Sequence, residues 1–110
     1  MNPHDAAHAL ASALKKSPEF SAFKEAQKKL KEDPTAESIL NDLREIQLEL
    51  QELHLEGKEI SGDTDEKYKK LSDAANFNLT VKAFVEAEYR FAILMMDIQK
   101  IIGDAVDLET

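Results

Sequence analysis

Residues 90–98 read RFAILMMDI, and the six residues FAILMM within this stretch are all apolar. A helix on the surface of a soluble domain shows an apolar stripe towards the core and a polar face towards water. At the helical angle of 100° per residue, this run instead surrounds the whole circumference. A helix here needs neighbours on several sides, so this stretch decides what kind of fold the chain adopts.

The apolar pattern extends in both directions from FAILMM and predicts one long helix over residues 79–107. Two adjoining seams of three-four spacing cover roughly 220° of this helix, well beyond the ~100° that one packing surface needs. The first seam consists of Phe84, Ala87, Phe91, Leu94, Ile98, Ile101, Ala105 and Leu108. The second consists of Val81, Val85, Glu88, Ala92, Met95, Gln99, Ile102 and Val106. The remaining arc holds Tyr89, Ile93 and Met96.

Capping residues followed directly by proline mark the starts of three earlier helices. This arrangement is typical of the Ncap and N1 positions. We expect these helices to end near Lys16, Glu32 and Glu56, with Gly57 terminating the third. The three dipeptides are Asn2-Pro3, Ser17-Pro18 and Asp33-Pro34.

The third predicted helix, over residues 34–56, carries a heptad-like apolar seam, which indicates packing along a partner helix. A polar loop follows it. Asp63 and Glu66 then resemble a capping box and predict a short fourth helix that Asn76 and Asn78 interrupt. Asn78 would cap the fifth helix. The third helix's seam consists of Ala36, Ile39, Leu43, Ile46, Leu50 and Leu53.

The composition is that of a helical protein, with 3 Gly, 3 Pro and a charged fraction of 33% in 110 residues. We therefore expect an all-α fold of five helices in one domain over residues 1–110. The absence of cysteine excludes disulfides and thiolate chemistry within the chain and is typical of a reducing compartment. With no secretory signal and no apolar stretch of the ~20 residues that span a bilayer, we expect a cytoplasmic protein that does not contact membranes.

Chain length and helix length together predict an oligomer. A compact chain of this size has a diameter of roughly 34 Å, whereas the fifth helix would be ~43 Å long. We expect an intertwined homodimer with twofold symmetry, or a higher oligomer. The alternative is a monomeric bundle in which Ile93 and Met96 are ordinary exposed apolar residues. The predicted interface consists of Phe84, Ala87, Phe91, Ile93, Leu94, Met95, Met96, Ile98, Ile101 and Ile102.

Glu88 interrupts an apolar seam and would need a partner if it were buried. The only arginines are Arg44 and Arg90. Arg90 points to a different side of the helix from Glu88, so we expect Glu88 to pair with Arg44 or with Arg90 of a second chain and to fix the helix register. Partial solvation of Glu88 at a helix crossing is the alternative.

Few residues indicate chemistry. His4 and His8 share a helical face, as in the H-E-x-x-H zinc motif, but Asp5 stands where that motif has glutamate. Because of this difference from the motif, we predict no catalytic residue, metal site or cofactor. A small metal-binding protein or enzyme that uses His4 and His8 is the alternative function.

The lysine row Lys24, Lys28 and Lys31 follows helical spacing. We interpret this row as a solvated helix edge. The alternatives are that it binds an acidic partner or a nucleic acid. The net charge of −8 argues against non-specific nucleic-acid binding.

Three stretches of the chain resemble the YlbF/YmcA family of small bacterial helical proteins, and within it the YheA-like UPF0342 group. They are DAAHALASALKKSPEFSAFKEAQKKLKEDP (residues 5–34), ILNDLREIQLELQELHLEGKEI (residues 39–60) and VEAEYRFAILMMDIQKIIGDAV (residues 85–106). The most specific part is AEYRF followed by DIQKIIG.

The resemblance implies an all-α fold that forms intertwined dimers, a source among Firmicutes, and a non-enzymatic regulatory or scaffold role. It points to developmental or RNA-processing regulation through protein partners that remain to be identified. In better-studied branches cysteines ligate iron–sulfur clusters, and this chain has no cysteine to do so.

Overall fold

The computed structural model describes residues 1–107, which form five α-helices and no strand. This confirms the predicted all-α class and the two long helices. Leu108, the last member of the first predicted seam, lies outside the described residues. The helices are α1 (Pro3–Lys15), α2 (Pro18–Lys31), α3 (Pro34–Leu55), α4 (Gly62–Phe77) and α5 (Leu79–Val106).

The first three helices begin where the capping pattern predicts. Each has proline in its first turn, and the preceding side chain accepts a hydrogen bond from a free backbone N–H of that turn. Asn78 caps α5 in the same way, since its Oδ1 accepts from the N–H of Val81 at 3.0 Å. At the other end of α3, Gly57 adopts a φ of +70°, which terminates the helix at little steric cost.

The fourth helix differs from its prediction. It has 16 residues, and it begins at Gly62 because Ser61 is the Ncap, with Ser61 Oγ accepting from the N–H of Thr64 at 3.1 Å. Asn76 does not interrupt α4, because its side chain points to solvent and its helical backbone continues to Phe77. The intrinsic cost of asparagine in a helix, at most ~0.7 kcal/mol, is small enough for packing of the helix to override.

The buried core lies where α2, α3, α4 and α5 meet. α2 and α5 run antiparallel, since Phe20 lies 5.6 Å from Phe91 and Phe23 lies 5.4 Å from Phe84 between ring centroids. Burial on α3 ends at Ile46 and on α5 at Ala87, although both helices continue well past these residues. The core residues are Ala26, Leu30, Ala36, Leu40, Leu43, Ile46, Ala75, Val81, Phe84 and Ala87.

The shape of the chain is extended and flat. Its radius of gyration is 18.4 Å, and its extents are 56 × 42 × 16 Å, whereas a compact chain of this length has a radius of gyration of about 13 Å. The accessible surface is 8627 Å², against about 6,100 Å² for a compact monomer of this mass. The helices therefore leave a large area open that a closed fold would cover.

Candidate interaction surface

The distal half of α5 presents the largest set of exposed apolar side chains on one element. Beyond Ala87, α5 continues for 19 residues to Val106 without another buried side chain. Met96 is 65% exposed and Ile101 is 68% exposed. We define the distal α5 surface as the exposed residues Ile93, Met96, Ile101, Ile102 and Val106.

The predicted interface residues of α5 fall into three groups in the structure. Phe84 and Ala87 are already buried in the core of the single chain and have little surface left for a second chain. Four residues are half-buried: Phe91, Leu94, Met95 and Ile98. Four are exposed: Ile93, Met96, Ile101 and Ile102. The surface available for assembly thus starts at Phe91, about two helical turns after Phe84, the first residue of the predicted interface.

A cluster of four aromatic rings holds α5 in place against α2. Phe23 packs on Phe84 at 5.4 Å and stacks on Phe91 at 5.8 Å, and Phe20 contacts Phe91 at 5.6 Å. These separations are typical of favourable aromatic pairs. Because Phe20 lies near the start of α2, the part of α5 beyond the α2 contact has one face without cover from its own chain.

Arg44 of α3 and Glu88 of α5 form an ion pair, with 2.6 Å between Nη2 and Oε1. The Arg44 guanidinium also lies 5.6 Å from the centre of the Phe84 ring, which adds a cation–π contact. The two side chains remain 45% and 38% exposed. Of the two partners predicted for Glu88, the structure therefore places Arg44 beside it, at a partly solvated helix crossing.

Arg90 lies on another side of α5. It borders a shallow surface pocket with Ala22, Glu25 and Ala26 of α2. It is exposed there and therefore accessible to a second chain.

Exposed leucines on α3 were missed by the sequence reasoning. Leu48 and Leu55 are exposed, whereas Leu50 and Leu53 of the predicted seam are half-buried. Leu48 and Leu55 are seven residues apart and share a helical face, which is the signal that would have identified them. The end of α3 and the end of α5 thus both carry uncovered apolar side chains.

Charged side chains line two open grooves, of which one has more lysines and the other more carboxylates. Lys24, Lys28 and Lys31 line an open groove of about 590 Å³ on α2, together with Lys15 and Phe20. A second open groove of about 480 Å³ lies between α3 and α4 and is lined mainly by charged residues. Its carboxylates are those of Asp42, Glu45, Glu49, Asp63 and Glu66.

His4 and His8 lie on α1 and are exposed. Across residues 1–107, no three histidine, cysteine, aspartate or glutamate side chains are grouped so that they could hold a metal ion. The structure therefore adds no third ligand to this pair.

None of the helices within residues 1–107 combines the length and the apolar character needed to cross a membrane.

The model of one protein family, described as "Control of competence regulator ComK, YlbF/YmcA", matches residues 4–107. The chain belongs to the YlbF/YmcA family. A UPF0342 protein of Symbiobacterium thermophilum is 39% identical over 106 residues, which cover 96% of this chain and 95% of the relative. A UPF0342 protein of Clostridium tetani is 38% identical over 109 residues, covering 99% of this chain and 94% of that protein.

Two solved structures share the fold of this YlbF/YmcA family member. A protein of unknown function (DUF964) from Bacillus stearothermophilus superimposes with a TM-score of 0.78 at 27% identity, covering 94% of this chain and 91% of the other. Bacillus subtilis RicA, in a complex with RicF, superimposes with a TM-score of 0.69 at 20% identity, covering 94% and 92%. At 20% identity the likeness to RicA concerns the fold alone. RicA was solved in a complex with a second protein, RicF.

Proposed function

We propose that this chain is a non-enzymatic regulatory or scaffold subunit of the cytoplasm, which forms a homodimer and acts through helix–helix contacts with further proteins. The processes it serves would be developmental or RNA-processing regulation in bacteria. The family's description as a control of the competence regulator ComK supports this assignment. So does the complex of RicA with RicF, in which a protein of the same fold binds another protein.

The main support for this proposal is that the single chain exposes more surface than a compact monomer of its mass. The chain exposes 8627 Å², which is about 2,500 Å² more than a compact monomer of its mass would expose. A standard interface buries about 800 Å² per partner, and obligate homodimers bury more. The surplus is thus large enough for an obligate dimer interface.

The chemistry of the surplus surface favours another helix as its partner. Within the distal α5 surface, Ile93 and Met96 are three residues apart and Ile102 and Val106 are four residues apart, which are the spacings of side-chain ridges that pack against a second helix. Twofold symmetry would place the same surface of both chains at the interface. The half-buried residues Phe91, Leu94, Met95 and Ile98 border this surface and would become fully buried in the dimer.

Light scattering on two variants tests the dimer. Because Met96 and Ile101 are exposed in the single chain, their joint replacement, Met96→Glu with Ile101→Glu, would change the stability of a monomer by roughly 1 kcal/mol or less. In the dimer it would bury two carboxylates, so we expect the mass to fall from twice 12.4 kDa to 12.4 kDa with helix content retained.

The control variant is Phe77→Glu, which replaces an apolar residue at the corner between α4 and α5 that is even more exposed than Met96 and Ile101. We expect it to retain the mass of the wild type. A wild-type mass of 12.4 kDa, or an unchanged mass in the double variant, would contradict the proposed dimer.

Affinity capture tests the regulatory part of the proposal. The tagged chain, its Met96→Glu, Ile101→Glu variant and its Phe77→Glu variant would each be expressed in the native bacterium. We expect the same specific proteins to be retained by the wild type and the Phe77 variant and lost from the double variant. A wild-type dimer that retains no specific protein would contradict a scaffold role.

A further inference from the structure

The lysine row of α2, Lys24, Lys28 and Lys31, has no carboxylate partner within the described part of the chain. All three side chains are exposed, and none of them forms an ion pair with another residue of 1–107. The neighbouring Lys29, by contrast, pairs with Glu25. Four lysines and one glutamate line the groove that contains the row, so the net formal charge of this groove is +3. It is a positive surface on a chain whose net charge is −8.

The groove between α3 and α4 carries the opposite charge. Five carboxylates and two lysines line it, so its net formal charge is −3. We define the acidic row as the three carboxylates that α3 contributes, Asp42, Glu45 and Glu49. They are exposed and form no ion pair with another residue of 1–107. Of the two lysines in the groove, Lys70 already pairs with Glu66. The acidic row is therefore open to a cationic partner.

The lysine row and the acidic row match in length and in spacing. The lysines follow one another at intervals of four and then three residues, and the carboxylates at intervals of three and then four. Each row therefore spans seven residues, or about 10 Å of helix. In an antiparallel arrangement of the two helices, every lysine faces one carboxylate. The three pairs are Lys24–Glu49, Lys28–Glu45 and Lys31–Asp42.

Two glutamates continue the acidic pattern along α3 beyond the groove, but they are less suited to pair with the lysine row. Glu52 does not line the groove. Glu56 is the C-cap of α3 and already pairs with Lys58 at 2.9 Å. The part of α3 that lines the groove is therefore the favoured docking site.

We propose that the lysine row of α2 docks antiparallel along the acidic row of α3 in a second copy of this chain. The contact uses surfaces other than the distal α5 surface and does not depend on the homodimer proposed above. Because the two rows are different surfaces and each copy carries both, the contact is heterologous and continues from copy to copy. It joins copies into assemblies of more than two chains.

A nucleic acid fits the lysine row less well than a second copy does. Recognition of phosphates and bases uses arginine forks and stacking aromatic rings. The groove contains no arginine, and its one aromatic residue, Phe20, packs on Phe91. Glu25 also lines the groove and would repel phosphate. A second copy supplies carboxylates at the matching spacing, so it is the partner that the charges favour.

The salt dependence of the mass distinguishes this contact from general charge effects. Raising the salt from about 0.1 M to about 1 M shortens the Debye length from about 10 Å to about 3 Å. Screening alone weakens the repulsion between copies with a net charge of −8 and would raise the mass. The proposed contact has the reverse effect. We expect sedimentation equilibrium at several hundred micromolar protein to show a mass that falls as salt is added, and a constant or rising mass overturns the proposal.

Charge reversal within each row tests the contact at single residues. Lys28→Glu and Glu45→Lys change the net charge in opposite directions, yet each should raise the dissociation constant of the salt-dependent association roughly tenfold. An equimolar mixture of the two variants should restore association, because an intact lysine row then meets an intact acidic row. The matched control is Lys29→Glu, which lies outside the row and should retain association. Failure of the mixture to associate, or an equal loss in the control, overturns the proposal.

Double variants of a single chain test the antiparallel register. Lys24→Glu combined with Glu49→Lys exchanges the charges of one opposed pair, so this chain should retain the salt-dependent association. Lys24→Glu combined with Asp42→Lys makes the same change in charge but places like charges opposite each other at both ends of the contact, so this chain should lose it. The mass of each chain at about 0.1 M salt measures the difference, and the reverse result overturns the antiparallel contact.

The outcomes separate this contact from the homodimer. The Met96→Glu, Ile101→Glu variant should lose the dimer and retain the salt-dependent association, whereas Lys28→Glu should retain the dimer and lose the association. A single-stranded RNA probe tests the other partner. If the wild type binds the probe, Lys28→Glu does not, and the mass of the wild type shows no fall with salt, a nucleic acid is the partner and the proposal is wrong.

Discussion

Phe77 and Phe84 show at the scale of single residues how position determines the role of an aromatic ring. Phe84 is 5% exposed, contacts Phe23 and lies under the Arg44 guanidinium. Phe77 is 87% exposed at the corner between α4 and α5. The same side chain therefore stabilises the core at one position and contributes little packing energy at the other.

Alanine substitution should separate these two phenylalanines. We expect Phe84→Ala to lower the free energy of unfolding by about 3–5 kcal/mol, because it removes a buried ring and leaves a cavity. Phe77→Ala should change it by roughly 0.5 kcal/mol or less. Urea unfolding at one fixed protein concentration measures both. Equal effects of the two substitutions would contradict the assignment of the core.

The Arg44–Glu88 ion pair should contribute only modestly to stability, because both side chains are partly exposed. A double-mutant cycle with Arg44→Ala and Glu88→Gln should give a coupling energy of about 0.5–1 kcal/mol, decreasing as salt is added. The Arg44→Ala chain should lose slightly more stability than the coupling energy, since it also loses the contact with Phe84. A coupling energy of zero at low salt would show that the pair does not hold α3 against α5.

At the scale of elements, the helix starts were predictable because they depend on local chemistry. A capping side chain followed by proline satisfies free N–H groups within one turn, so Asn2, Ser17 and Asp33 mark helix starts without knowledge of distant contacts. The start of α4 was misplaced by two residues, because the cap is Ser61 rather than Asp63, and Ser61 precedes a glycine rather than a proline. The end of α4 was misjudged because asparagine is only a weak helix breaker.

Asn76 and Asn78 offer a matched test of this explanation. Asn78 Oδ1 accepts from the N–H of Val81 and caps α5, whereas Asn76 is exposed within α4. We expect Asn78→Ala to lower the free energy of unfolding by about 1 kcal/mol. Asn76→Ala should leave it unchanged or raise it by a few tenths of a kcal/mol, because alanine has the higher helix propensity. Thermal unfolding of the two variants at equal concentration distinguishes them, and a reversed order would contradict the assigned cap.

The face that each residue presents was predictable, but which neighbour covers that face was not. Three-four spacing placed Phe84, Ala87, Phe91 and Leu94 on one seam of α5. It could not indicate that α2 and α3 bury Phe84 and Ala87 while cover becomes incomplete from Phe91 onward. That outcome depends on where the start of α2 lies along α5. The contact that sets this position, between Phe20 and Phe91, joins residues far apart in the sequence.

At the scale of the whole molecule, two quantities show that the single chain is less compact than its size would allow. The radius of gyration of 18.4 Å exceeds the value of about 13 Å for a compact chain, and the accessible surface exceeds that of a compact monomer by about 2,500 Å². Both excesses arise because α1 and the distal half of α5 extend away from the core. A second copy that covers these two elements would close the fold.

Sedimentation equilibrium of the unmodified chain at micromolar concentration tests the proposed dimer most directly. If two chains complete each other's cover, the molecular mass is twice 12.4 kDa, and dilution to nanomolar concentration is needed to separate them. A mass of 12.4 kDa throughout the micromolar range would contradict the dimer, and with it the role proposed for the distal α5 surface.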